Sequence, residues 1–130
     1  MVTLERLADH HKEALAQLGN DPLISVSSSV DHPCTVNTVQ SWMDEGSGDP
    51  PRRITFVVWV DGEMVGAMSL KQIDYVAETA EVSYWVGRPF WGRGIAKMAL
   101  DAIIDVGFNQ MNFNSLQAFC LRDNNQPSLR

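Results

Sequence analysis

The chain has 130 residues, 45% hydrophobic and 20% charged, with 10 Lys and Arg against 16 Asp and Glu and a formal net charge of −6. That length accommodates a single domain with one core, and the composition is that of a soluble globular protein rather than a disordered or collagen-like one. The acidic balance argues against a nucleic-acid-binding face, which needs clustered Lys and Arg, and is better suited to attracting amines and basic peptides.

Residues 3–7 read as a short strand. Asp9 then stands as the N-cap of a helix over 10–18, with Leu15 and Leu18 on one face and Gly19 as the C-terminal stop. Residues 21–33 are turn-rich and show no clear period. A second helix over 35–45 places Val39, Trp42 and Met43 as its apolar positions and ends at Gly46, where a loop runs to Pro51. Residues 54–60 form a dense run of β-branched and aromatic side chains, and 63–70 continue as a second strand. Asp61-Gly62 between two such runs is a strong hairpin signal.

A third strand over 77–86 alternates Val82, Tyr84 and Val86 on one face with Glu81, Ser83 and Trp85 on the other. After Gly87-Arg88-Pro89 the period changes. Ile95, Ala99, Leu100, Ile103, Ile104 and Phe108 recur at helical spacing, which predicts an amphipathic helix over 94–108. Residues 115–121 read as a further strand and 122–127 as a polar turn. The order β-α-α-β-β-β-α-β, an antiparallel meander feeding one central helix, is an α+β pattern, unlike the strict alternation of a doubly wound sheet.

The stretch from Tyr84 to Lys97 runs from a strand end through a turn into a helix start. Gly92 and Gly94 remove side chains where the backbone bends and a ligand approaches closely. The first N–H groups of the helix have no partner within it, and the helix dipole adds partial positive charge. Together they form an anion site suited to a pyrophosphate, with Arg88, Arg93 and Lys97 beside it. A tight turn without a ligand has the same composition. A dinucleotide fingerprint fits poorly, because Lys97 occupies its third glycine position and hairpin strands precede it. No Gly-Lys-Ser/Thr occurs, so a Walker A loop is excluded.

The run Trp91-Gly92-Arg93-Gly94-Ile95-Ala96 resembles the acyl-CoA motif of the GNAT superfamily of N-acetyltransferases, Gln/Arg-x-x-Gly-x-Gly/Ala, except that Trp91 occupies the first position. The opening Phe90-Trp91-Gly92 is similar to that of the ribosomal-protein alanine acetyltransferase branch. Residues 80–86 resemble that branch's fourth strand, and Asn125 and Ser128 match its Asn-x-x-Ser element. The resemblance covers about residues 63–130. It implies a GNAT-type mixed, largely antiparallel twisted sheet flanked by helices. It also implies acetyl transfer from acetyl-CoA to a primary amine, a protein N-terminus or a small amine.

By position, the resemblance assigns the backbone of Tyr84, Trp85 and Val86 to the pantetheine arm. It assigns the amides of Gly92, Arg93, Gly94, Ile95, Ala96 and Lys97, next to Trp91, to the pyrophosphate. Asn125 falls near the thiol end, and Ser128 matches a serine that protonates the departing thiolate. Glu81 is the carboxylate in reach for a general base, or else an outward strand residue paired with a lysine. Trp85 and Trp91 either line the cleft or pack in the core, while Trp42 and Trp59 read as core.

The remaining residues carry less chemistry. Cys34 and Cys120 make no disulfide framework, and Cys120 reads as a packed small hydrophobe. His32-Pro33-Cys34 offers two ligands where zinc wants four, so no metal is expected. His10 and His11 read as solvated surface. The apolar runs are too short to span a bilayer and the N-terminus lacks a signal pattern, so a cytoplasmic location without membrane contact is expected.

The family pattern normally continues beyond Asn-x-x-Ser with a helix and two closing strands, so the chain reads as a fragment or a shortened member. A non-catalytic acyl-CoA-binding module is the alternative to an enzyme. In the absence of those strands, the edge of 115–121 carries neither charge nor proline and is expected to recruit a second copy or to depend on a further C-terminal segment.

Overall fold

Local turn chemistry organises the centre of the sheet. Ile54–Val60 (β2) and Glu63–Asp74 (β3) pair antiparallel with Val60 opposite Glu63, leaving Asp61 and Gly62 as the whole turn. Both residues have positive φ, 50° and 84°, the geometry whose twist matches a two-residue hairpin. Thr79–Val86 (β4) returns antiparallel to β3, pairing Gly66 with Val86 and Lys71 with Glu81. The computed structural model describes residues 2–27, 33–48, 50–118 and 128–129. Among them the sheet has six strands in chain order. Val2–Arg6 (β1) pairs antiparallel with β2, and Ser115–Ala118 (β5) pairs parallel with β4. Ser128–Leu129 (β6) pairs antiparallel with β5.

Helices cover both faces. Lys12–Gly19 (α1), Pro22–Ser27 (α2) and Val36–Glu45 (α3) enclose Leu15, Ile24, Val39 and Trp42 against Val57, Ala67 and Trp85 of the sheet. Ile95–Asp105 (α4) lies on the other face, where Ile95, Ala99 and Ile103 meet Met68, Leu70, Val82 and Leu116. The alternation predicted for β4 holds. Val82, Tyr84 and Val86 belong to the α4 side, whereas Trp85 belongs to the α1 and α3 side. This is the α+β class expected, with β4 and β5 the one parallel pair among the described strands.

Several expectations change. Asp9 is not an N-cap. The first turn, Asp9–His11, is 3₁₀ and its N-cap is Ala8, whose N–H donates to His11 Nδ1 at 3.0 Å. Gly19 is the last residue of α1 rather than a left-handed stop. A Cβ there would meet the Trp85 ring at 3.0 Å, so smallness for packing is what the position requires. Residues 21–33 contain α2, and β3 runs four residues beyond the predicted 70.

The helix predicted over 94–108 is regular only to Asp105. Val106–Gln110 then widens into a π turn, with Met111 N–H donating to Val106 O at 3.0 Å. Within this turn Gly107 sits so close to Leu116 that a Cβ would approach its Cδ1 to 2.7 Å. The strand predicted over 115–121 is described to Ala118, and its outer edge is not bare: Leu116 pairs with Leu129 and Gln117 with Ser128. Leu116 is fully buried.

Candidate active site

The anion turn forms as its glycines require. Gly87 closes β4, its N–H donating to Val65 O at 2.7 Å, and Arg88–Phe90 makes one 3₁₀ turn. The Trp91 indole N–H then donates to Val86 O at 2.6 Å, pinning the loop to the strand it leaves. Gly92 and Gly94 both take positive φ, 82° and 73°, and Gly94 is the N-cap of α4 with no side-chain cap. The helix ladder opens with Met98 N–H to Gly94 O at 3.3 Å, so the amides of Ile95, Ala96 and Lys97 precede it. A Cβ built on Gly92 or Gly94 would meet nothing within 4 Å, so the outer side of the turn is open. Open space, helix-start amides and a backbone bare of side chains together fit a pyrophosphate.

The cations beside the turn are less uniform than the sequence suggested. Arg88 is drawn towards α2, with its guanidinium 3.5 Å from the Asp21 carboxylate. Arg93 lies over the Phe90 ring at 5.5 Å and is exposed, as is Lys97. Ile95 is buried and anchors the helix start in the core. Trp91 remains part-exposed at 38%, its nitrogen committed to the strand end. Trp85 is core: its ring packs against Gly19 and it is 7% exposed, so its contribution to a ligand is restricted to backbone.

The described ladder between β4 and β5 ends at Val82 and Ala118, while β4 continues beside β3 to Val86. Glu81 lies on the α1 and α3 face. Its carboxylate is 3.7 Å from Lys71 Nζ, the pairing that the plainer sequence reading allowed. It also lines a cavity of about 370 Å³ with Gln72, Thr79, Ala80 and Ser115. Ser128 enters through its backbone in β6, opposite Gln117; its side chain, and all of Asn125, Cys120 and His32, lie outside the described residues.

Two features were missed. On the same face as Glu81, Thr55, Ser69 and Ser83 stand opposite one another on β2, β3 and β4. Thr55 and Ser69 are buried with their hydroxyls 2.9 Å apart, and Arg53 donates to both. The signal was present as small hydroxyl residues at alternating positions in otherwise apolar strands, but a single strand does not reveal its neighbour's register. The second is His11, which is 2% exposed rather than solvated. Its Nδ1 accepts the Ala8 N–H, so its Nε2 carries the proton and donates to Glu5 Oε1 at 3.1 Å. Glu5, His10 and His11 place their ligand atoms within 4.8 Å of one another, but these bonds already engage both nitrogens of His11. Among the described residues no helix is long and apolar enough to cross a membrane.

The whole chain, residues 1–130, matches the family model described as the acetyltransferase (GNAT) domain. It is 26% identical over 99% of its length to the uncharacterized N-acetyltransferase p20 of Bacillus licheniformis, covering 74% of that protein. A ribosomal-protein-serine acetyltransferase of Escherichia coli is 31% identical over 58% of the chain, a match that spans 44% of the relative. Among solved structures, the ribosomal alpha-N-protein acetyltransferase RimL in complex with coenzyme A superposes with a TM-score of 0.79 at 22% identity, over 95% of this chain and 72% of that one. A spermidine N-acetyltransferase from Vibrio cholerae, bound to CoA and spermine, gives 0.77 at 20% identity, over 90% and 69%. At those identities the structural likeness establishes the fold.

Proposed function

The chain belongs to the acetyltransferase (GNAT) domain family, and from that membership we propose that it transfers the acetyl group of acetyl-CoA directly to a primary amine. The observation that carries the reading is the left-handed Gly94 at the start of α4, immediately after β4, with open space outside it. The residues fit the co-substrate. The amides of Gly92 to Lys97 would hold its pyrophosphate, the β4 backbone from Tyr84 to Val86 its pantetheine arm, and Asn125 the thiol end. When bound, acetyl-CoA supplies the activated thioester.

The protein's own part is to align the amine, accept its proton and return one to sulfur. Nitrogen bonds to the carbonyl carbon, the carbon–sulfur bond breaks, and the thiolate leaves as CoA. In this reading Glu81 takes the amine's proton, directly or through water, from the face opposite α4. Ser128 returns a proton to the thiolate. Acetyl-CoA is a cytoplasmic metabolite, so the reading places the reaction in the cytoplasm. Relatives named for ribosomal proteins and for spermidine support a peptide or small amine as acceptor.

The test is time-dependent CoA release with a panel of peptides and small amines, alongside calorimetry of acetyl-CoA, NAD and ATP. Acetyl-CoA is expected to bind preferentially, and Glu81→Gln to lose turnover while keeping acetyl-CoA affinity. NAD binding as tightly as acetyl-CoA overturns the reading. Acetyl-CoA binding without release by any amine favours a non-catalytic binding module instead.

A further inference from the structure

A second cavity bears on the acceptor. It measures about 230 Å³ and sits where the end of β1, the start of β2 and the C-terminal end of α3 meet, lined by Arg6, Leu7, Trp42, Met43, Ser47 and Thr55 among others. Two of its lining residues, Thr55 and Trp42, hold the guanidinium of Arg53, itself not part of the lining. Arg53 Nε donates to Thr55 Oγ1 and Ser69 Oγ, each at 3.2 Å, and Nη2 donates to Ser69 Oγ at 3.0 Å. The guanidinium lies over the Trp42 ring at 5.1 Å. These contacts fix its plane and leave Nη1 without a partner among the described residues, yet not sealed from solvent. Arg6, exposed, lines the cavity as well and donates to Gly46 O at 3.4 Å.

Among the described residues, neither arginine has a carboxylate within ion-pair distance. Burial pulls the Arg53 guanidinium below its ordinary value, and the field of Glu45 opposes that shift. A partly desolvated cation held by neutral hydroxyls is costly until an anion joins it, and a guanidinium's planar donors match a carboxylate. In a chain of net charge −6, two arginines with no ion-pair partner among the described residues are a local exception.

We infer that this cavity receives the acidic side chain of a peptide acceptor, a residue or two beyond the amino group that is acetylated. The inference rests on the acetyltransferase reading and extends it to the acceptor. Thr55, Ser69 and Ser83 are in register across β2, β3 and β4 on the face that carries Glu81. Adjacent strands are about 4.8 Å apart, so Thr55 of β2, which holds Arg53, is about 10 Å from β4. An extended peptide advances roughly 3.3–3.6 Å per residue, which brings its third residue within reach. A polyamine, cationic throughout, meets Arg6 and Arg53 as like charges.

The experiment is calorimetry on the CoA-saturated protein with C-terminally amidated tetrapeptides, Ala-Ala-Glu-Ala against its isostere Ala-Ala-Gln-Ala. The Glu peptide is expected to bind about tenfold more tightly, the scale of a charge-assisted hydrogen bond. Arg6→Gln, at an exposed position of the lining, is expected to bring the two affinities together, and Arg53→Met to do the same in protein that still binds acetyl-CoA. Equal affinities in the parent protein, failure of either peptide to bind, or a Glu preference that survives both substitutions overturns the assignment. The comparison does not depend on turnover. Absent CoA release sinks the acetyltransferase reading, and absent Glu preference sinks the cavity.

Discussion

Gly94 combines two requirements that no other residue type meets at once. Its φ of 73° is one that β-branched side chains resist, and its missing side chain leaves the helix-start amides accessible. Gly94→Val is therefore expected to weaken acetyl-CoA binding by more than tenfold, since each lost charge-assisted bond is worth about 1.5–3 kcal/mol. Calorimetry and circular dichroism together check it: parental affinity in a folded variant would place the phosphate elsewhere. The glycine pair was legible from the sequence because backbone freedom is a property of the residue itself. His11 was not. Its burial and tautomer depend on Glu5 and on the chain's path into the first turn, neither of which a local pattern contains. Arg53 was equally illegible, since its hydroxyl partners come from β2 and β3 and its ring partner from α3.

Among the elements, those with chemical boundary marks were readable. The Asp61-Gly62 turn fixes the register of β2 and β3, and Thr35 starts α3, its Oγ1 accepting the Thr38 N–H at 3.3 Å while Thr38 Oγ1 accepts the Thr35 N–H at 3.1 Å. Removing this reciprocal cap with Thr35→Ala is expected to cost about 1 kcal/mol. Urea denaturation checks it, and an unchanged midpoint would mean that packing of Val39 and Trp42 alone sets the helix start. Boundaries set by tertiary partners were not readable. The π turn after Asp105 keeps an apolar helical rhythm through Phe108, so periodicity alone extends α4. Within that turn Gly107 lies close against Leu116 of β5, a contact that no periodicity records. The partner of β5 was likewise missed, because Ser128–Leu129 is too short to have a strand pattern of its own.

At the scale of the whole molecule, the sheet's order repeats the order of the chain, β1 to β6. The order has a consequence for how the protein is assembled. β2, β3 and β4 are joined by short turns and can pair as soon as each is available, whereas β1 must wait across all three N-terminal helices for β2. Loop closure over that distance is slower and entropically costlier than a two-residue turn. Refolding followed by pulsed amide exchange is expected to protect β2–β4 first and β1 later, and simultaneous protection of β1 would contradict that order. On the ribosome the asymmetry acts in one direction. The amphipathic helices α1 and α3 emerge before the strands their buried faces cover, so during synthesis the N-terminal third is a stretch of chain whose folding surface has yet to be made.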